Sequence, residues 1–339
     1  MKKLFWLAAC LVALHAGAQN DEAIEAYNQG INLYNQKEYA QALSRFNEAI
    51  EKDPSFAKAW FNRAVCKTDL KDYQGAISDY SRNIELDTSN NERAYFSRAQ
   101  VKYLKNDKEG ALADFRATAS RNPEDADARY FAGGICYELG KFQESVDEFS
   151  LAIKAKPDFA EAYHDRAGAY RQIEKLDDAI ADYREAAKLR PKMVSAYNNL
   201  GSVLRQKGDL QAALVEFNFA VQADPTGSSA YVKRGRLKYD MEDYAGAMAD
   251  FNKAVENNPR DHYAYNNRGC LKNKQKDYAG AIADFDQAIK LDPSYGYAFM
   301  NRGIAKENLN DMTGACSDWK SATGLGATIA NQFVDSQCN

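Results

Sequence analysis

The residues able to do acid–base, nucleophilic or metal chemistry are few and scattered. Histidine occurs only at His15, His164 and His262, and the cysteines never form a Cys-x-x-Cys pair. Neither a His-Glu-x-x-His motif nor a phosphate-cradling Gly loop occurs. An enzyme needs a nucleophile, a base and an oxyanion donor or metal in one place, so the chain reads as non-catalytic, with no cofactor or metal required. What recurs instead is recognition chemistry. Asn28, Asn62, Asn199, Asn267 and Asn301 share one column of a repeat. A side-chain amide both donates and accepts, so a ladder of amides suits an extended peptide backbone of any sequence. Arg171, Arg205, Lys233 and Arg236 form a candidate basic patch for a carboxylate or acidic peptide. A third set, Tyr27, Tyr34, Phe61, Phe96, Tyr103, Tyr130 and Tyr137, offers rings at similar positions. Each set has a plainer reading: Asn as habitual repeat spelling, the cations as solvated charge, the rings as seals between neighbouring helices.

The elements that position these side chains are repeats. All seven prolines fall in one register, with Pro123, Pro157, Pro191, Pro225, Pro259 and Pro293 spaced by 34 residues, and Pro54 lying 69 before Pro123. Alignment on this register gives nine repeats: 23–56, 57–91, 92–125, 126–159, 160–193, 194–227, 228–261, 262–295 and 296–329. One column is always small, from Gly30 and Ala64 to Gly269 and Gly303; twelve residues on, a second runs from Ala42 to Ala315. Four further on stands an aromatic every time, among them Phe46, Tyr80, Phe285 and Trp319. Another aromatic column, including Trp60, Tyr95 and Tyr265, has gaps only at Ala26 and Arg129. Each repeat therefore reads as two amphipathic helices around a polar turn such as Lys71-Asp72, closed in most cases by a proline. Such a hairpin has too small a core to stand alone, and stacking neighbours buries the aromatic columns.

This pattern resembles the tetratricopeptide repeat (TPR) family over about 90% of the chain. The resemblance implies an all-α solenoid, a right-handed superhelix whose groove is lined by the first helix of each hairpin, and a protein or peptide partner. Residues 327–339 look like a capping helix with Ile329, Ala330, Phe333 and Val334 on one face. The Lys and Asn arrangement with which chaperone-linked TPR domains clamp a terminal carboxylate is not reproduced. Two other functions fit the same scaffold: glycan binding by the groove aromatics, and an architectural role through the convex face.

Several internal correlations carry expectations. Arg63, Arg98, Arg166, Arg234, Arg268 and Arg302 are each followed sixteen residues later by Asp, at Asp79, Asp114, Asp182, Asp250, Asp284 and Asp318. The three remaining repeats lack both partners, which predicts a salt bridge within each of the six hairpins, worth about 1 kcal/mol or less if exposed. Thr88 stands where other repeats have the helix-stopping Pro, and the array's one extra residue falls in 88–91, so this joint is expected to be the weakest. Cys316 and Cys338 flank Gly324 and Gly326 and are expected to pair, while Cys66, Cys136 and Cys270 read as buried residues.

The chain has 339 residues, 45% hydrophobic and 27% charged, with 44 basic against 48 acidic side chains and a net charge of −4. That balance argues against a nucleic-acid binder. Lys2, Lys3, the apolar run Leu4 to Leu14 and Ala16-Gly17-Ala18 read as a signal peptide over residues 1–18, giving a protein exported to the periplasm or beyond. Cys10, in Leu7-Ala8-Ala9-Cys10, offers the alternative of a lipid tether to a membrane. No other run is long enough to span a bilayer.

Overall fold

The computed structural model describes residues 21–338; the expected signal segment, Cys10 included, lies outside the described residues. Among those described, every regular element is helical, and no helix is long and apolar enough to cross a membrane. The chain divides between Lys156 and Pro157 into two compact segments. The first holds four hairpins: α1 (Asp21–Asn35) with α2 (Tyr39–Lys52), α3 (Ala57–Asp69) with α4 (Tyr73–Leu86), α5 (Glu92–Leu104) with α6 (Lys108–Arg121), and α7 (Ala126–Glu138) with α8 (Phe142–Ala155). In the second, α9 (Ala160–Gln172) pairs with α10 (Leu176–Leu189), α11 (Val194–Gln206) with α12 (Leu210–Ala223), and α13 (Ser228–Asp240) with α14 (Tyr244–Asn257). It continues with α15 (His262–Lys274) and α16 (Tyr278–Leu291), then α17 (Gly296–Asn308) and α18 (Met312–Gly324). A 3-10 turn (Thr328–Ala330) and the short α19 (Asn331–Gln337) end it. Odd-numbered helices are termed A and even-numbered ones B, α19 apart.

The turn inside each hairpin follows from local chemistry. In the second repeat the Asp72 amide donates to the Lys67 carbonyl at 2.8 Å and the Lys71 amide to Thr68 at 3.0 Å, closing helix A with Lys71 in the left-handed region. Asp72 then caps helix B by accepting from the Gly75 amide at 2.9 Å. Asp107, Asp209, Asp243, Asp277 and Asp311 do the same in their repeats. Between the two helices, the small column gives the aromatic one its seat. A Cβ on Gly269 would lie 2.7 Å from Cε1 of Phe285, so the ring rests directly on the helix A backbone. Phe285 and Trp319 are fully buried, and each such ring stabilises its hairpin by about 2–3 kcal/mol.

All six Arg–Asp pairs close, each as a two-pronged contact; Arg234 Nε donates to Asp250 Oδ2 at 2.9 Å and Nη2 to Oδ1 at 2.6 Å. The small cost expected if the pairs were exposed does not apply, because every one of these acids is buried. Five of them take a second cation from the lysine one turn after the arginine, as Lys238 does on Asp250 at 2.9 Å. In the fifth repeat that lysine position is Tyr170. The outer edge of the arginine reaches back to the preceding helix B, Arg234 Nη1 to Asn218 Oδ1 at 2.9 Å. The pair thus joins repeats as well as helices.

At the C-terminal end, Cys316 and Cys338 are joined by a disulfide with Cα atoms 5.5 Å apart, and Phe333 stacks on Trp319 with centroids 5.0 Å apart. The single apolar face expected for this segment is not formed as read. The 3-10 turn rotates Ile329 out of register, leaving it 52% exposed while Ala330 is fully buried. Cys66 and Cys136 are buried and Cys270 is partly so.

Candidate functional site

On the A-helix face of each segment, neighbouring A helices are laced by contacts between residues 35 apart. Tyr34 donates to Asp69 at 2.5 Å and Tyr103 to Glu138 at 2.7 Å; Asn62 Nδ2 donates to the Tyr27 hydroxyl at 2.7 Å. In the second segment Asn199 Nδ2 lies 3.0 Å from His164 Nε2, Asn301 Nδ2 donates to Asn266 Oδ1 at 3.0 Å, and Arg205 Nε donates to Asp240 Oδ2 at 2.5 Å. Asn267 Nδ2 turns back to the Tyr263 carbonyl at 2.7 Å.

This lacing corrects the expectation of an unsatisfied amide ladder. Of the five asparagines only Asn28 is exposed without a described partner; in Asn62, Asn199, Asn267 and Asn301 the amide nitrogen is already engaged. What the last two keep for a ligand is the side-chain oxygen, to which no described residue donates. The seven rings also lean toward sealing. All are part-buried: Phe61 meets Tyr80 edge-on at 5.4 Å, Phe96 meets Phe115 at 5.2 Å, and Tyr130 meets Phe149 at 5.6 Å. Tyr27 packs on Phe56 at 4.9 Å, Tyr34 on Tyr39 at 5.4 Å and Tyr137 on Phe142 at 5.3 Å.

The second segment does carry a cavity of about 540 Å³ between helices α13, α15 and α17, lined by Arg236, Tyr239, Asn267, Tyr295, Tyr297 and Asn301 among others. Its rings were not legible as a site in the sequence: Tyr239 belongs to a column shared with Tyr34 and Tyr103, while Tyr295 closes the eighth repeat and Tyr297 opens the ninth, outside the aromatic columns described above. Burial pushes the Tyr295 hydroxyl up to about 12, so it stays a neutral donor. The neighbouring Cys270 thiol is pushed up to about 11, also by burial, and is no nucleophile at neutral pH. Asp240, paired with Arg205, belongs to the same wall. The Asp240 contact ties that wall to Arg205 in α11, and burial, then the guanidiniums of Arg171 and Arg205, pull the Lys233 ammonium below the usual lysine range. No group of three or more metal-ligating side chains forms among the described residues.

A stack of A/B hairpins with an open, polar A-helix face defines an α-solenoid of the protein-interaction class. Family models described as tetratricopeptide repeat match residues 27–91, 96–158, 164–228, 228–261 and 262–295. The chain belongs to the tetratricopeptide repeat family, whose members serve as protein-binding scaffolds. It is similar to RNA polymerase II-associated protein 3 of Xenopus tropicalis, 37% identical over 89 residues that cover 22% of this chain and 14% of that one. Another relative is Hsp70-Hsp90 organizing protein 1 of Glycine max, 40% identical over 65 residues, or 19% of this chain and 11% of that one. The chain thus spans only a small part of these relatives' length. A solved tetratricopeptide repeat protein from Parabacteroides merdae superposes with a TM-score of 0.61 at 19% identity, over 75% of this chain and all of that one. That likeness is one of fold.

Proposed function

We propose that this protein is a non-catalytic scaffold that holds an extended segment of a partner protein on the A-helix face of its second segment. The observation that carries this reading is the cavity between α13, α15 and α17, which Asn267, Asn301, Arg236 and three tyrosines line together. Amide oxygens accept from a peptide N–H, the guanidinium and hydroxyls donate to its carbonyls, and the rings pack on its side chains. The cations beside it favour an acidic stretch there. Export, to a bacterial periplasm or outside the cell, belongs to the same proposal. It is supported by the apolar N-terminal run and by the Cys316–Cys338 bridge, a bond that persists in oxidising compartments.

The test is selection from a displayed library of unstructured peptides on the full chain. Enrichment should be lost in the Asn267→Ala/Asn301→Ala/Tyr297→Ala variant, which should keep wild-type helical content and lower its unfolding midpoint only by the loss of the Asn301–Asn266 hydrogen bond, about 1–3 kcal/mol. Equal enrichment on both chains would move the site elsewhere, the convex B-helix face first. The polar, ring-lined cavity also suits a sugar; glycan-array binding lost in the same variant, without peptide enrichment, would favour that second reading.

A further inference from the structure

Three cations stand on successive A helices, Arg171 in α9, Arg205 in α11 and Lys233 in α13, and the charges of both guanidiniums act on the Lys233 ammonium. Only Arg205 has a carboxylate, Asp240. The Nε of Arg171 is buried and donates to nothing, and neither Arg171 nor Lys233 has an ion-pair partner among the described residues. Lys233 moreover occupies the column that holds Asn199 and Asn267 in the flanking repeats, so the fold itself does not call for a charge there. Part-buried cations side by side repel, and a buried N–H without an acceptor adds a further cost. Repulsion maintained without a counter-charge marks a place kept for an anion.

We propose that Arg171, Arg205 and Lys233 form a receptor for one doubly charged tetrahedral oxyanion, a phosphate monoester on the segment that occupies the groove. This rests on the groove reading above and names what that segment carries. Charge balance selects the dianion. Three cations and one carboxylate leave two positive charges, of which a single carboxylate would match one. Donor count agrees, since the Arg171 fork, the Arg205 N–H groups not taken by Asp240 and one ammonium can serve three phosphate oxygens.

The first experiment needs no peptide. Sulfate, inorganic phosphate and perchlorate are titrated into the full chain at constant ionic strength, with calorimetry and thermal unfolding as readouts. Sulfate and phosphate should bind at least about tenfold tighter than perchlorate, which has the same shape and half the charge. Lys233→Asn, which restores the residue of the flanking repeats, should raise the unfolding midpoint without ligand and abolish the sulfate effect; Lys253→Asn, at a half-exposed B-helix site paired with Glu256, should do neither. Equal binding of sulfate and perchlorate, or a sulfate effect that survives Lys233→Asn, would overturn the proposal. The second experiment compares a library-selected peptide in serine, glutamate and phosphoserine forms. A gain of at least about tenfold for phosphoserine, lost in Lys233→Asn, is expected, and no gain overturns the assignment to a phosphate monoester. Because library enrichment depends on Asn267, Asn301 and Tyr297 while the anion titration depends on the three cations, failure of either reading is seen apart from the other.

Discussion

The Asp250 carboxylate is held by both prongs of Arg234, at 2.9 and 2.6 Å, and is itself 4% exposed. Asp250→Asn keeps the shape but leaves Arg234 and Lys238 facing a neutral amide. Both cations are only part-buried and keep some hydration, so the cost lies toward the lower end of that for breaking a buried pair, about 3 kcal/mol. Urea unfolding should show it as a lowered midpoint, while Glu48→Gln, which breaks the exposed Arg45 pair, should leave the midpoint nearly unchanged. A loss under about 1 kcal/mol for Asp250→Asn would return the pair to the class of surface contacts.

Glu216 carries the opposite sign. Burial raises its carboxyl above the usual range, only partly offset by Arg184. A raised value means that the fold favours the protonated acid. The associated stability is complete below the ordinary glutamate value of about 4.3 and is lost as pH rises through the raised one. Glu216→Gln should therefore increase the unfolding midpoint at pH near 7 and change it little at pH near 4. An equal gain at both pH values would assign the effect to packing instead.

The same residue shows what was legible in the sequence and what was not. Period, hairpins and the six Arg–Asp pairs follow from columns, because a repeat writes the same contact at the same spacing. Glu148 looked merely unpaired beside Ala132, yet Arg116 Nε donates to it at 2.6 Å and Arg129 Nη1 at 3.0 Å. The arginine has moved one helix back, thirty-two residues before the acid, and Arg184 stands in that relation to Glu216. That displaced spacing was the available signal. The lacing of A helices was not legible in the same way. It depends on how far one helix slides along the next, and so the asparagines read as free amides while their nitrogens serve the scaffold.

The hairpin turns offer a gain in stability. Glu242 is held at φ +63° where the equivalent residues of two other repeats, Gly140 and Gly208, sit at +74° and +84°. A left-handed residue with a Cβ costs about 1–2 kcal/mol, and the extra freedom of glycine in the unfolded chain returns part of it. Glu242→Gly should therefore stabilise by about 0.5–1 kcal/mol, and Gly208→Ala should destabilise by a similar amount. Nothing lies within 4 Å of a Cβ built on Gly208, so any loss there reports backbone strain alone. Thermal unfolding of the two variants measures both, and a destabilised Glu242→Gly would show that its side chain holds the turn.

The Cys316–Cys338 bridge closes a separation of 22 residues, worth about 3 kcal/mol in the loop-entropy picture. Its effect should be local, since a solenoid passes stability only between neighbours. In Cys338→Ser, hydrogen exchange should accelerate through α19 and the second half of α18, where Phe333 covers Trp319, and stay unchanged in α9 to α14. Acceleration along the whole second segment would mean that the cap controls global stability.

The joint between the second and third repeats is better knit than the absence of a proline suggests. Asp87 Oδ1 accepts from the Asn90 amide and from Ser89 Oγ, each at 3.0 Å, which turns the extra residue inside a closed loop. Asn91 follows, 4% exposed. Its Nδ2 donates to the Ile84 carbonyl at 3.2 Å and its Oδ1 accepts from Arg121 Nε at 2.8 Å, so one side chain ties the end of α4 to α6. Replacing it by alanine strands a carbonyl and a guanidinium N–H at once, at a cost of about 1–3 kcal/mol for each group left fully buried. Arg121 also lies over the Tyr95 ring, 4.1 Å from its centroid, and keeps that contact, which places the expected total near the lower end, about 2 kcal/mol. Asn91→Ala should then make residues 87–93 the fastest-exchanging internal stretch of the first segment, whereas the wild-type joint should exchange like the other inter-repeat turns. If the wild-type stretch already exchanges fastest, the Asn91 contacts do not close the joint, and the missing proline governs it after all.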